Sequence, residues 1–261
     1  MRILTNLVDT EILISSQDLS KQVLIIELAG RTCYKSYEGK EITLESARKF
    51  IKMLIGRHHE SVMEHSLVTV RIRSSIGETR EQNRHRLASP SEQSTRYVNK
   101  SDLAFVFPPH RNVRESVTLK DGRVITLTEA IQFFEDLYSG LIDQLGWVPE
   151  DARQFLPLGT QSEIVISANF REWRHIMELR TNKAAHWEIR SIMCHLLEVF
   201  KDLIPGVFDD FALKGKDKNG VPFFIKKRPT ATVLEDIENS IEDFTQEQRE
   251  KLLRILELNR D

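Results

Sequence analysis

Cysteine is nearly absent: Cys33 and Cys194 are the only two in 261 residues. They stand far apart and lack CxxC spacing, which argues against a disulfide-stapled scaffold and a structural zinc site and suits a reducing compartment. The glycine patterns GxGxxG and GxxxxGK[ST] are missing too, so a Rossmann or P-loop mode of nucleotide binding is not expected. There is no GxSxG, and neither cysteine lies in a recognisable nucleophile setting. No run of 18 apolar residues occurs, and the opening MRILTNLVDTEILI carries Asp9 and Glu11 where a secretory leader would be apolar. The expectation is a cytoplasmic protein without a membrane partner. An excess of charge of one sign is also lacking. Lys and Arg number 37 against 39 Asp and Glu, a formal charge of −2, which gives no global attraction to nucleic acid. Any nucleotide site must therefore be local.

What remains is an ordinary globular composition, 40% apolar and 29% charged, on a chain long enough to bury a full core. Thr43–His59 repeats apolar residues at three and four and predicts a helix. Leu67–Arg73 alternates Val68, Val70 and Ile72 with Thr69, Arg71 and Arg73, which predicts a strand with one wet face. A DG pair at 121–122 predicts a hairpin. Helices are expected over Thr128–Leu145, with Ala130, Phe133, Phe134, Leu137 and Leu141 inward and Asp136 outward, over Pro149–Leu156, Phe170–Leu179 and Ala184–Ile204. A strand is expected over Ser162–Ala168. Residues 206–229 read as a protruding, loosely packed hairpin and Glu235–Asn259 as a charged helix. No linker interrupts residues 1–205, so these form one expected domain, with 206–261 as a C-terminal hairpin and helix appendage. Helices outnumber strands without a regular strand–helix repeat, which points to an α+β fold.

The chemistry-bearing stretch is Arg80–Tyr97, REQNRHRLASPSEQSTRY, with Arg80, Arg84, Arg86 and Arg96 among hydroxyl and amide side chains. A helix running to about Leu87 would place Arg80 and Arg84 on one face, with Pro90 ending it and Ser89 extended. Two explanations stand: a solvated surface, or an anion site in which guanidinium forks meet phosphates. A second cluster, Asn169, Arg171, Arg174, His175 and Arg180, has Arg171 and His175 four apart on one helix face. HHESVMEH at 58–65 is rich in His and Glu, but its spacing is not HExxH. A metal site is not expected there, and a polar helix end or a cofactor wall remain. A different flavin or nucleotide enzyme, a nucleic-acid-binding module and a non-catalytic protein are the rival classes for the chain as a whole.

The run Arg84–Ser94, RHRLASPSEQS, resembles the signature of the flavin-dependent thymidylate synthases: Arg-His-Arg, seven residues, then Ser, with Ser89 and Arg96 extending the match. AGRTCY ending at Tyr34, the 58–65 block and NFREW…LR at 169–180 are similar to the family in order and spacing. Ser91 stands where Asn is frequent, Glu81 where Gln is common, and Ala184 where a flavin-contacting His is frequent, with His186 close by. The resemblance implies helices packed around a small, mainly antiparallel curved sheet. It implies flavin contacts from Ser61, Arg84, His85, Arg86, Glu92, Asn169, Arg171 and His175. Contacts to dUMP are implied for Arg80, Gln82, Arg84, Glu92, Ser94, Thr95, Arg96, Arg153 and Arg180, with Arg180 the catalytic residue. The implied reaction is reductive methylation of dUMP to dTMP with FAD, NADPH and 5,10-methylenetetrahydrofolate, and no metal. The implied assembly is a homotetramer with shared active sites.

Overall fold

The computed structural model describes residues 1–5 and 8–227. It opens with strands β1 (Arg2–Thr5) and β2 (Asp9–Ile12). Ser15 then starts α1 (Ser16–Cys33), its Oγ accepting the Asp18 N–H at 3.1 Å. α2 (Leu44–Gly56) begins from a capping box between Thr43 and Ser46. A 3-10 turn, Glu60–Glu64, leads to β3 (Val68–Ser75), α3 (Ile76–Gln82) and β4 (Ser89–Glu92). β5 (Ala104–Phe107) pairs parallel with β1. The 121–122 turn joins β6 (Ser116–Thr118) to β7 (Val124–Thr126), with Gly122 at φ +87, a conformation glycine adopts without a Cβ penalty. Then follow α4 (Leu127–Asp143), α5 (Pro149–Ala152), β8 (Gln161–Ala168), α6 (Phe170–Arg180) and α7 (Trp187–Leu203). A hairpin of β9 (Phe211–Lys216) and β10 (Pro222–Lys226) completes the described chain.

The central sheet has the order β2-β3-β8-β4, and every pairing in it is antiparallel. Period-2 alternation puts Val68, Val70, Ile72, Ile164 and Ile166 on one face, all fully buried. The α7 stripe of Ile189, Ile192, Met193, Leu196, Leu197 and Phe200 meets that face, together with buried residues of α1, α2 and α6. The opposite face keeps Arg73, which bridges Asp9 at 2.8 Å and Glu163 at 2.7 Å. The fold is α+β, with helices packed on an antiparallel sheet. Among the described residues no helix is long and apolar enough to cross a membrane.

Three expectations need correction. α3 stops at Gln82, not near Leu87. The His85 and Ala88 N–H groups close tight turns onto Gln82 and His85, so Arg84 does not share a helix face with Arg80, and β4 forms an exposed edge strand where Pro90 is tolerated. α4 is rotated from its expected setting: Ile131, Glu135, Tyr138 and Leu141 are buried, while Phe133 is 61% and Phe134 37% exposed. Glu135 is admitted inward because its carboxylate accepts the Leu103 N–H at 3.1 Å and the Gln132 amide at 2.9 Å. The β9–β10 hairpin is not loose. Val207, Phe208, Phe211 and Phe224 belong to the main core. Residues 228–229 and the helix expected over Glu235–Asn259 lie outside the described residues.

Candidate active site

Two strand-to-helix junctions build the site. At the end of β3, Ser75 caps α3, its Oγ accepting the Glu78 N–H at 3.1 Å. At the end of β8, Asn169 caps α6, its Oδ1 accepting the Glu172 N–H at 2.8 Å. Both polar residues suit the N-cap because the first helical N–H groups have no internal partner. The 3.6-residue period then sets Arg171, His175 and Leu179 along the outer side of α6, while Arg174 is wholly buried.

A cleft of about 440 Å³ lies between Arg84, His85 and Arg86 on one side and His175, Leu179 and Arg180 on the other. A second, of about 550 Å³, is lined by Asn169, Arg171, His175, Glu64 and Lys226. Leu87, Glu172 and His175 border both, so the two form one trough along α6. Six of the eight residues expected to contact flavin line it: Arg84, His85, Arg86, Asn169, Arg171 and His175. Ser61 sits exposed in the adjoining 3-10 turn without lining either cleft. Glu92 lies behind, accepting from Thr79 Oγ1 at 2.6 Å and Asn83 Nδ2 at 2.9 Å, where it ties β4 to α3.

Arg180, at the last position of α6, is held from three directions. Its Nε donates to His85 Nε2 at 3.0 Å, Nη1 to Glu81 Oε2 at 2.9 Å, and Nη2 to the Glu81 carbonyl at 3.2 Å. A guanidinium has five N–H donors, so among the described residues one remains uncommitted on each terminal nitrogen. His85 is buried, and burial, with the Arg180 and His175 charges adding to it, pushes its pKa down to about 4. It is therefore neutral near pH 7. Because Nε2 accepts from Arg180, its proton resides on Nδ1, 3.9 Å from Glu172 Oε1. Burial raises the Glu172 pKa.

Beneath α3 lies a buried polar layer. Glu78 accepts from Ser74 Oγ at 2.6 Å and Gln82 Nε2 at 2.7 Å, and burial lifts its pKa to about 8. Glu188 accepts both the Ser75 N–H and O–H at 2.7 Å, and burial raises its pKa as well. Gln82, expected to contact nucleotide, is fully buried here, its Oε1 without a partner among the described residues. Arg80 is exposed on the last turn of α3.

The remaining nucleotide-contact candidates collect elsewhere. Beyond β4, Ser94 Oγ accepts the Arg96 N–H at 3.2 Å. Arg153 Nη1 donates to Thr95 Oγ1 at 3.4 Å, and Arg96 pairs with Glu150 at 2.8 Å. None of these borders the trough, so one chain carries two separate halves of the expected substrate set. Glu64 pairs with Arg171 and Glu60 with Arg174, and among the described residues no group of three or more His, Cys, Asp or Glu is placed to hold a metal ion. Sequence reasoning missed Glu172 and Lys226 as trough residues. Glu172 carries a signal, since an acid three residues after an Asn cap marks a helix start. Lys226 carries none.

The family model described as "Thymidylate synthase complementing protein" matches residues 13–206, which spans both clusters and every trough residue except Lys226. The chain belongs to the flavin-dependent thymidylate synthase family. A flavin-dependent thymidylate synthase of Geobacter sulfurreducens is 33% identical over 190 residues, 71% of this chain and 80% of the relative. That of Corynebacterium diphtheriae is 32% identical over 198 residues, 72% and 78%. A probable member from Mycobacterium phage L5 is 31% identical over 194 residues, 71% and 79%. Among solved structures, a UMP/dUMP methylase, PolB from Streptomyces cacaoi, bound with 5-Br dUMP, superimposes with a TM-score of 0.64. It covers 80% of this chain and 96% of its own at 24% identity, which supports the fold. Family membership makes the chain an enzyme, and the trough bordered by the Arg-His-Arg signature is its candidate active site.

Proposed function

We propose that the protein methylates dUMP reductively to dTMP in the cytoplasm. 5,10-Methylenetetrahydrofolate supplies the carbon and leaves as tetrahydrofolate, and NADPH supplies the hydride through FAD. The observation that carries this reading is Arg180. It is anchored by His85 and Glu81, keeps two N–H donors free, and borders the same cleft as Arg84 and Arg86.

The residues present fit a flavin dinucleotide. The trough is elongated, Arg84 and Arg86 are exposed at its edge, and Asn169 and His175 offer polar groups along its length. Bound there, reduced FAD would supply hydride. Arg84 and Arg86 would meet its phosphates as guanidinium forks. Arg180 would direct its two free N–H groups at N3 and O4 of the uracil ring, where negative charge grows as C5 becomes nucleophilic. A preset donor of this kind contributes about 3–4 kcal/mol to the transition state. Neutral His85 supports that role, because a protonated ring could not accept the Arg180 Nε–H. Arg96 and Arg153 would hold the 5′-phosphate. A thiol mechanism finds little support: Cys194 is buried with its pKa pushed up to about 12 by burial, and Cys33 is exposed at the end of α1.

The separation of the Ser94–Arg96 and Arg153 cluster from the trough supports a homotetramer in which one subunit completes the site of another. The test is an anaerobic assay with FAD, NADPH, methylenetetrahydrofolate and dUMP, scored for dTMP, with UMP as a parallel substrate. Formation of dTMP dependent on every component is expected. Flavin reduction without dTMP would defeat the proposal.

A further inference from the structure

We propose that Glu172 is a positioning residue for the methylation: its carboxyl group accepts the Nδ1 proton of His85 and so keeps His85 in the tautomer that holds Arg180. This rests on reading Arg180 as the donor to the uracil ring. None of the contacts that the family resemblance implies falls on Glu172.

Two nearly buried groups face each other here without a hydrogen bond. The Glu172 side chain is 6% exposed and that of His85 4%, and Glu172 Oε1 stands 3.9 Å from His85 Nδ1. Among the described residues His85 Nε2 receives the Arg180 Nε–H and the Glu172 backbone N–H donates to Asn169, but neither Nδ1 nor the Glu172 carboxyl is hydrogen-bonded. Groups this buried are costly to leave unpaired. An approach of about 1 Å would join them, and such bonds commonly tighten when ligand binds.

Helix capping does not account for the carboxyl. Glu129 holds the same third position of α4, and it turns back to the Thr126 N–H at 2.7 Å to close a capping box. α6 has its Asn169 cap but no such box. Glu172 instead borders both clefts, at the place where they meet.

Arg180 requires one tautomer of His85. Its Nε–H is accepted only by an unprotonated Nε2, which puts the ring proton on Nδ1. An acceptor beside Nδ1 stabilises that form. Without one, the proton is free to move to Nε2, where it would meet the Arg180 Nε–H donor to donor. A carboxyl group orients an imidazole in the same way in a Ser-His-Asp triad. Burial raises the Glu172 pKa, yet a neutral carboxyl still offers an acceptor oxygen. His175, on the outer side of α6, is the other titratable group whose charge bears on both.

The full chain is compared as wild type, Glu172→Leu, Glu172→Gln, His85→Gln and the double variant Glu172→Leu with His85→Gln. Readouts are dTMP formation, FAD and dUMP affinity, the thermal midpoint, and NMR of nitrogen-labelled histidine rings, with the His85 signal assigned by its loss in His85→Gln. His85 is expected to carry its proton on Nδ1 in the wild type. In Glu172→Leu, kcat should fall about tenfold, the worth of one hydrogen bond, with both affinities held. Glu172→Gln should recover, since its amide oxygen accepts the same proton. Adding Glu172→Leu to His85→Gln should cost nothing further. The thermal midpoint should hold or rise in Glu172→Leu, because the buried carboxyl it removes has no partner to lose. Unchanged kcat in Glu172→Leu would overturn the inference, as would an equal loss in both backgrounds or a midpoint that falls along with kcat. If Glu172→Leu does not fold, a wild-type His85 protonated on Nε2, or a Glu172→Gln variant that does not match the wild type, would overturn it. Turnover at the wild-type rate in Arg180→Ala would instead remove the reading of Arg180 beneath it.

Discussion

Arg180 commits three of its five donors inside the protein before any ligand arrives. Such fixing lowers the reorganisation needed when charge develops on a bound ring, and it makes the residue more than a local cation. Arg180→Ala is expected to lower turnover by roughly 10²–10³-fold, the usual cost of one preset donor, while flavin still binds. Single-turnover formation of dTMP and a flavin titration measure the two halves of that statement, and turnover at the wild-type rate would reject the assignment. His85 makes a second claim at this scale. Its folded pKa, about 4, lies below the unfolded value near 6.5, so the unfolded chain binds the extra proton. Stability from this group is complete above about pH 6.5 and is lost as the pH falls toward 4. Urea unfolding across that window should show a drop that flattens in His85→Gln, a variant that retains an acceptor for Arg180. An equal drop in both proteins would show that His85 is not its source.

α6 is the element on which the site depends. Asn169 sets its start, the Thr181 carbonyl beneath β10 holds its end, and Arg174 in its middle is fully buried against Asp210, Glu60 and the Val207 carbonyl. The inner side of the helix thereby locks the 3-10 turn and the hairpin approach onto the core, and the outer side offers Arg171 and His175 to the trough. Removing one partner from such a network leaves buried carboxylates uncompensated. Arg174→Met is therefore expected to cost about 3–5 kcal/mol of folding stability, read as a fall in the urea midpoint. A loss below about 1 kcal/mol, the range of an exposed pair, would show that the network is not structural.

Over the whole molecule, the expected substrate contacts do not gather at one place: Arg84 and Arg180 border the trough, while Ser94, Thr95, Arg96 and Arg153 do not. Exposed Phe133 and Phe134 on α4 also leave apolar surface of the kind a neighbouring subunit covers. If sites are shared, Arg96→Ala and Arg180→Ala should each be nearly inactive alone, yet mixed and reassociated subunits should recover part of the dTMP formation, because some sites then draw both arginines from intact halves. No recovery in verified mixed oligomers would place each site within one chain. Local pattern by itself determined a good deal here. Alternation in β3 and β8, the apolar period of α7 and the DG turn follow from nearest-neighbour geometry, and the Arg-His-Arg signature marks the trough because its residues are contiguous. Tertiary structure decided the rest. α4 turned on its axis because Glu135 found a buried N–H to accept, α3 ended early in turns that set His85 beneath Arg180, and Lys226 reached the trough because a core of phenylalanines pulled the hairpin onto α6. Each outcome depends on a partner distant in sequence, and periodicity records only what a segment does with its own neighbours.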